Sequence, residues 1–379
     1  MPKITQKIPV IVLTGFLGSG KSTLLQELLA RENGQDTAVI INEFGEVPID
    51  HDLVRVGRGE LMRTSTGCLC CTAGSDVRGT LYELYEAVES GDVAPFSRVI
   101  IETTGLADPA PLVNQLVAGA MPAMGLRDHV VARHFVLAGV VTTVDIITGE
   151  ITLENHFEAA KQVAFADRIV LTKTDLAQDP ASKRDIDLLA EGLRQLNPAA
   201  ELTDRHGEGV DLDSLFVPRN YQPASLGEDV LGWLAMDQAV SAEGGHAHGK
   251  GGLSRHAARV NSFVLTSDAP FAEANYKRFM DVLVKAAGPR LLRVKGLIAL
   301  EDAPDKPLVI HAVQHAVFPA VQLEAWPSED RRGRLVFITD ELEEKPVREL
   351  FEAVLIGRPS AMERLRNAIG LGPKPTRDA

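Results

Sequence analysis

Residues 15–23 read Gly15-Phe16-Leu17-Gly18-Ser19-Gly20-Lys21-Ser22-Thr23, a glycine, four residues, then Gly-Lys-Ser. This is the spacing of a P-loop. The run before it, Pro9-Val10-Ile11-Val12-Leu13, is short, apolar and β-branched, as a strand buried on both faces should be. After it, Leu24, Leu25, Leu28 and Leu29 recur at helical spacing among good helix formers. Strand, glycine loop and helix together form the context the motif requires. Successive backbone N–H groups of such a loop converge on an anion, and the helix N-terminus adds partial positive charge. Gly15, Gly18, Ser19 and Gly20 would form the cradle. Lys21 would reach the outer phosphates, and Ser22, with Thr23 beside it, would offer a hydroxyl to Mg²⁺. The sequence therefore implies a bound nucleoside triphosphate.

Further short apolar runs follow at intervals suited to a βα alternation. Thr37–Ile41, Arg98–Ile101, Phe135–Val141, Arg168–Leu171 and Glu201–Thr203 read as strands, and Val77–Val88 and Ser182–Leu196 as helices. The pattern predicts an α/β fold, a mainly parallel sheet covered by helices on both faces. After Asn42-Glu43-Phe44-Gly45-Glu46, which closes the second strand, residues 47–67, polar with scattered glycine and arginine, read more as loop than as an element. Composition changes near Val217, where Pro218 to Ala258 carries turn residues, Gly244-Gly245 and Gly251-Gly252. A new pattern begins at Val260: a strand to Thr266, a helix over Phe271–Ala287, strands near 291–300, 308–316 and 335–339, and a last helix over 345–356. The expected organisation is a P-loop domain at 1–217, a His- and Gly-containing linker at 218–258, and a smaller α+β domain at 259–379.

Three further clusters carry chemistry. Glu102 ends an apolar strand, where a P-loop enzyme places its Mg²⁺-side acid, and Gly105 follows where a backbone N–H can meet a γ-phosphate. In Thr172-Lys173-Thr174-Asp175 the carboxylate can accept both N–H groups of the guanine edge, while the Lys173 stem packs on the base or loop. Adenine offers the opposite donor pattern, so Asp175 selects GTP over ATP. Cys68-Leu69-Cys70-Cys71 holds all three cysteines of the chain within four residues. That excludes a disulfide framework and points to metal or redox chemistry. Thiolates suit Zn²⁺, and three from one segment leave a fourth position open, an arrangement fitted to a metal in transit. His246 and His248, in the linker, read either as a loose metal-collecting pair or as solvated histidines. His311 and His315 lie in a strand-like run and read as core or surface residues.

The formal net charge of −13 opposes non-specific binding to nucleic acid and to anionic membranes. No apolar run is long enough to span a bilayer, and the first residues lack a signal-peptide core. A cytoplasmic location is expected, with neither nucleic acid nor membrane as partner and with oligomerisation left open.

Taken in order, the P-loop, Asn42-Glu43-Phe44-Gly45, Gly67-Cys-Leu-Cys-Cys71, Glu102-Thr-Thr-Gly-Leu-Ala-Asp-Pro109 and Thr172-Lys-Thr-Asp175 closely resemble the CobW-type GTPases. These are P-loop metallochaperones akin to the nickel-enzyme maturation GTPases. The second domain is similar to the family's C-terminal domain at Arg293-Val294-Lys295-Gly296 and Trp326. The resemblance implies slow hydrolysis of GTP to GDP and phosphate, coupled to delivery of zinc or cobalt to a client metalloprotein. It implies catalytic roles for Lys21, Glu43 and Glu102, guanine contacts from Lys173 and Asp175, and zinc on Cys68, Cys70 and Cys71. Glu43 falls in a switch segment, in reach of Mg²⁺, attacking water or cargo metal. One residue departs from the usual pattern: Thr172 stands where many GTPases carry Asn. Two other classes compete with this reading: an ATP-using kinase or ligase with a structural zinc, and a non-enzymatic metal buffer or sensor.

Overall fold

The computed structural model describes residues 7–31, 36–41, 53–56, 61–63, 76–117, 125–177, 179–218 and 259–356. Eight strands form the first sheet: β1 (Ile8–Gly15), β2 (Thr37–Ile41), β3 (Leu53–Val56), β4 (Leu61–Arg63), β5 (Arg98–Glu102), β6 (Phe135–Asp145), β7 (Arg168–Thr172) and β8 (Glu201–Asp204). Their order is β4-β3-β2-β5-β1-β6-β7-β8. From β2 to β8 every pairing is parallel, and β3 and β4 add an antiparallel edge. Alternation along β1 shows why both faces must be covered. Val10 and Val12 enter one apolar cluster and Ile11 and Leu13 the other. Helix α1 (Lys21–Ala30) supplies Leu24, Leu25, Leu28 and Leu29 to the second cluster. On the opposite face lie α2 (Val77–Ser90), α3 (Ala110–Leu116), α4 (Leu126–His134), α5 (Gly149–Asn155), α6 (Phe157–Phe165) and α7 (Pro180–Leu196).

A second, antiparallel sheet is built from β9 (Val260–Ser267), β10 (Leu291–Leu300), β11 (Ala303–Val313), β12 (Ala316–Val317), β13 (Val321–Gln322) and β14 (Gly333–Asp340). Helices Glu273–Ala287 and Glu344–Val354 cover one face, where Phe279, Leu283 and Phe351 pack on Leu265, Val294 and Phe337. Part of the other face turns toward the first unit. Val260, Leu292, Val313 and Ile338 join the apolar cluster that contains Phe165 and Ala166.

The expected strands of the P-loop unit all form, most with bounds moved by a residue or two. Part of 47–67, expected as loop, is strand in backbone: β3 and β4 are only four and three residues long. Segments that short carry no readable period, and their arginines conceal them further. Strand β11 begins at Ala303 rather than Leu308, its first half hidden by Pro304 and Pro307. The proposed linker, with His246 and His248, lies outside the described residues, apart from Pro218.

Where the two units meet, burial brings charge with it. Asp167, between α6 and β7, is 1% exposed; Arg293 and Lys295 on β10 are each 2% exposed. Asp167 Oδ1 accepts from Lys295 Nζ at 2.9 Å and from the Arg293 guanidinium, which also donates to the carbonyls of Phe165 and Ala166. Its Oδ2 accepts the Val140 N–H at 2.9 Å. Buried His311 stacks on Phe318, with ring centroids 4.1 Å apart. Burial, reinforced by the charges of Arg293 and Lys295, holds its imidazole well below the usual range and therefore neutral. Truncating Asp167 to Ala removes the carboxylate between two buried cations. Urea unfolding should register a loss of about 3–5 kcal/mol, where an exposed Asp281→Ala change should cost well under about 1 kcal/mol.

Candidate functional site

The P-loop lies at the carboxyl edge of β1, where a parallel sheet places its ligands. Its shape follows from three glycines at positive φ: Gly15 at 140°, Gly18 at 72° and Gly20 at 88°. Gly15 is required for space as well as angle. A Cβ there would come within 2.5 Å of the Thr143 carbonyl oxygen. Gly20 caps α1 in the left-handed conformation, so that the helix begins at Lys21. The Lys21 side chain, 8% exposed, folds back over the loop and donates to the carbonyls of Gly15 at 2.8 Å and Phe16 at 3.0 Å. A concave backbone with an ammonium at its mouth is suited to a polyphosphate.

One residue further on, the Ser22 hydroxyl donates to Glu102 Oε1 at 2.6 Å. Glu102 is 6% exposed and pairs with Leu13 in the sheet register, which fixes it beside the loop. A hydroxyl and a carboxylate facing each other, both hard oxygen donors, fit Mg²⁺. Gly105 lies directly on the P-loop; a Cβ on it would stand 2.5 Å from the Leu17 nitrogen. The turn carrying Gly105 is held from α6. Gln162, 1% exposed, donates to the carbonyls of Gly105 at 3.2 Å and Ala107 at 3.0 Å, and Lys161 pairs with Asp108 at 2.8 Å.

On the other side, β7 delivers Thr172, Lys173 and Asp175. The Thr172 hydroxyl donates to the Ser19 carbonyl at 2.8 Å, so threonine does tie this loop to the P-loop despite its short reach. Lys173 adopts φ 61° and extends its ammonium to Asp145 Oδ2 at 2.5 Å. Asp175 is exposed, in the single turn Thr174–Leu176. A cleft beside the loop is lined by Phe16, Ser19, Thr143, Asp145, Thr148 and Gln162.

Asp145 was not among the sequence candidates. It ends β6 as Glu102 ends β5, an apolar strand closing on an acid, and that shared pattern was the available signal. Burial raises its pKa. Hydrogen bonds from Lys173, the Ile147 N–H and Thr148, with the Lys173 charge, outweigh that and hold it below the usual carboxylate range. Gln162 and Lys161 carried no motif at all.

Lys21, Ser22, Glu102 and Gly105 thus gather at one end of the loop, and Lys173 and Asp175 lie along the same sheet edge. Glu43 and the thiolates of Cys68, Cys70 and Cys71 lie outside the described residues. Among the described residues no group of three or more His, Cys, Asp or Glu is placed to hold a metal ion. Nor is any described helix long and apolar enough to cross a membrane.

Residues 9–204 match the family model for the CobW/HypB/UreG nucleotide-binding domain, and residues 260–355 that for the cobalamin synthesis protein cobW C-terminal domain. The chain belongs to the CobW/HypB/UreG family. It is 30% identical over 345 residues to the zinc chaperone YjiA of Escherichia coli, covering 91% of this chain and 98% of that protein. With the zinc-regulated GTPase metalloprotein activator 1 of Saccharomyces cerevisiae it shares 24% identity over 395 residues, 92% of this chain and 84% of that one. Its fold matches the crystal structure of Zn(II)-bound YjiA GTPase from E. coli with a TM-score of 0.64 at 27% identity, over 92% of this chain and 99% of that chain. The CobW/HypB/UreG domain accounts for the parallel sheet and its loops, and the cobW C-terminal domain for the antiparallel one.

The Asp145 carboxylate should leave a pH signature. Its folded pKa is depressed, so its contribution to stability is full above the unfolded value of about 3.9 and is lost as pH falls through the lower folded value. Asp145→Asn should therefore flatten the acid limb of a stability-against-pH curve, measured by thermal melts between about pH 2 and pH 5, relative to wild type.

Proposed function

We propose that this protein is a GTP hydrolase that carries zinc and couples its nucleotide state to transfer of the metal to a client metalloprotein in the cytoplasm. The observation that supports it most is the convergence of Lys21, Ser22 and Glu102 at the P-loop mouth, with Asp175 on the same sheet edge. The names of the relatives, zinc chaperone and zinc-regulated GTPase activator, support the same reading. The division into a nucleotide domain at 1–217, a linker at 218–258 and a client-facing domain at 259–379 belongs to it.

In this reading the backbone from Gly15 to Thr23 holds the phosphates. Lys21 exchanges its contacts with the Gly15 and Phe16 carbonyls for β- and γ-phosphate oxygens, and so neutralises charge that grows on the leaving phosphate. Ser22 and Glu102 would hold Mg²⁺, which would supply neutralisation of the phosphate charge. The Gly105 N–H meets the γ-phosphate from a turn already seated on Leu17. Asp175 accepts the guanine N1–H and 2-amino N–H, and the Lys173 stem covers the base. Glu43 acts on the attacking water or the metals near it, and Cys68, Cys70 and Cys71 carry zinc as cargo, with cobalt the other metal this donor set accepts. His246 and His248 serve as a loose collecting pair for incoming metal.

The strand register supports communication between nucleotide and cargo. Leu13 pairs with Glu102, Glu102 with Ile41, Ile41 with Leu53 and Leu53 with Arg63, one continuous row across the sheet. The segment that begins at Asn42 follows Ile41, next to Glu102 in this row, and the one that begins at Thr64 follows Arg63, three strands from Glu102. The first carries Glu43 and the second carries the three cysteines.

Phosphate release under steady state tests the enzymatic part. Wild type should turn over GTP and leave ATP essentially untouched, while Lys21→Ala should lose at least about 100-fold in kcat. Asp175→Asn should move the preference to xanthosine triphosphate, whose 2-oxo group accepts where guanine donates. Equal turnover of ATP and GTP by wild type contradicts the assignment.

A further inference from the structure

The turn after β5, from Thr103 to Asp108, is tied down at both ends. At its start the Thr103 N–H donates to the Leu13 carbonyl at 2.9 Å, and its hydroxyl donates to that of Thr14 at 2.8 Å. At its end Asp108 pairs with Lys161 at 2.8 Å and accepts the Ala110 N–H at 2.9 Å. Between these points the Ala107 N–H closes a tight turn on the Thr104 carbonyl at 3.1 Å. The carbonyls of Gly105 and Ala107 both accept from Gln162.

The amide nitrogen of Gln162 carries two hydrogens and meets two carbonyl oxygens, Gly105 at 3.2 Å and Ala107 at 3.0 Å. Carbonyls only accept, so the nitrogen of the amide, and not its oxygen, faces the turn. The backbone carbonyl of Gln162 accepts the Thr142 hydroxyl at 2.8 Å, which ties this point of α6 to β6. Around it Ala159, Ala160, Val163 and Ala164 are buried in the apolar core, and Gln162 itself is 1% exposed. An amide in such surroundings costs free energy unless its hydrogens are used. Helix packing alone would favour an apolar residue here, so the amide serves the turn.

Gly105 stands against the P-loop so closely that a Cβ on it would lie 2.5 Å from the Leu17 nitrogen. A small movement of the turn therefore changes what the loop and the turn can grip together. We propose that Gln162 is a positioning residue for the γ-phosphate: by pinning the Gly105 and Ala107 carbonyls it holds the Gly105 N–H at the P-loop mouth, and so sets the preference for a nucleoside triphosphate over the diphosphate. This rests on the reading of Gly105 as a γ-phosphate contact made above. Gln162 acts through the turn, and a diphosphate, which ends inside the loop, does not draw on it.

Calorimetric titration of the full chain, with Mg²⁺ present, gives Kd for a non-hydrolysable GTP analogue and for GDP. Gln162→Met keeps an unbranched side chain of similar length and removes both amide hydrogens. It should raise the analogue Kd about tenfold, leave the GDP Kd within about twofold of wild type, and lower kcat for GTP. A residue that only supported the fold would weaken both nucleotides alike, so the ratio of the two Kd values is the readout. Should Gln162→Met fail to fold by circular dichroism, Lys161→Ala, which releases Asp108 at the end of the same turn, should move the ratio in the same direction. Gly105→Ala, whose Cβ meets the Leu17 backbone and pushes the turn off the loop, separates the two claims. A ratio raised by Gly105→Ala but unchanged by the α6 variant overturns the role of Gln162 and leaves Gly105 at the γ-phosphate. A ratio unchanged in both overturns the γ-phosphate assignment itself.

Discussion

The site depends on a close approach between the P-loop and the end of β6. Gly15 sits where no Cβ fits against Thr143, and around this contact hydroxyls take the place of apolar packing. Ser19 and Thr143 share a hydrogen bond of 2.7 Å, the Thr143 hydroxyl reaches the Thr14 carbonyl at 3.3 Å, and Thr103 donates to the Thr14 hydroxyl at 2.8 Å. Thr172 completes the set from β7 through the Ser19 carbonyl. Four parallel strand ends, those of β1, β5, β6 and β7, are bound to one loop in this way. All of these hydroxyls are buried, so each must find a partner, and that requirement specifies the position of the loop more sharply than apolar contact would.

The same argument separates what could be read in the sequence from what could not. The P-loop, Glu102 and the Thr-Lys-Thr-Asp motif are local, with each chemical group set by its distance from a strand end; Lys21, Ser22, Glu102 and Gly105 lie around the loop, and Lys173 and Asp175 along the same sheet edge. Asp145 and Gln162 meet the candidate residues through contacts between residues distant in sequence, Lys173 with Asp145 and Gln162 with the Gly105 carbonyl. No spacing rule encodes such pairs. Asp145 alone left a trace, an acid closing an apolar strand. The Thr172 departure shows the converse: the sequence suggests a loss relative to Asn, and the geometry recovers the tie to the P-loop through a shorter side chain. Among the elements, β3 and β4 were missed because three or four residues are too few to show a period.

Helix α6 links the two halves of the molecule. Lys161 and Gln162, at its middle, hold the turn that carries Gly105 against the P-loop. Three to five residues beyond Gln162, the carbonyls of Phe165 and Ala166 and the carboxylate of Asp167 receive Arg293 and Lys295 from β10. A single short element therefore touches the turn that carries Gly105 and, at its end, the antiparallel domain. The buried charges make that second contact directional, since a displaced Asp167 would leave two cations uncompensated.

The central claim is that nucleotide and cargo metal feel each other through the stretch between Ile41, paired with Glu102, and helix α2; the sequence of that stretch carries Glu43 and the three cysteines. Linkage requires that any such coupling be reciprocal. The most direct measurement is calorimetric titration of zinc into the full chain, with Mg²⁺ present, loaded either with a non-hydrolysable GTP analogue or with GDP. The account predicts zinc Kd values that differ by about fivefold or more between the two states, matched by the same factor in nucleotide affinity with and without zinc. Equal zinc Kd values in both states would contradict it.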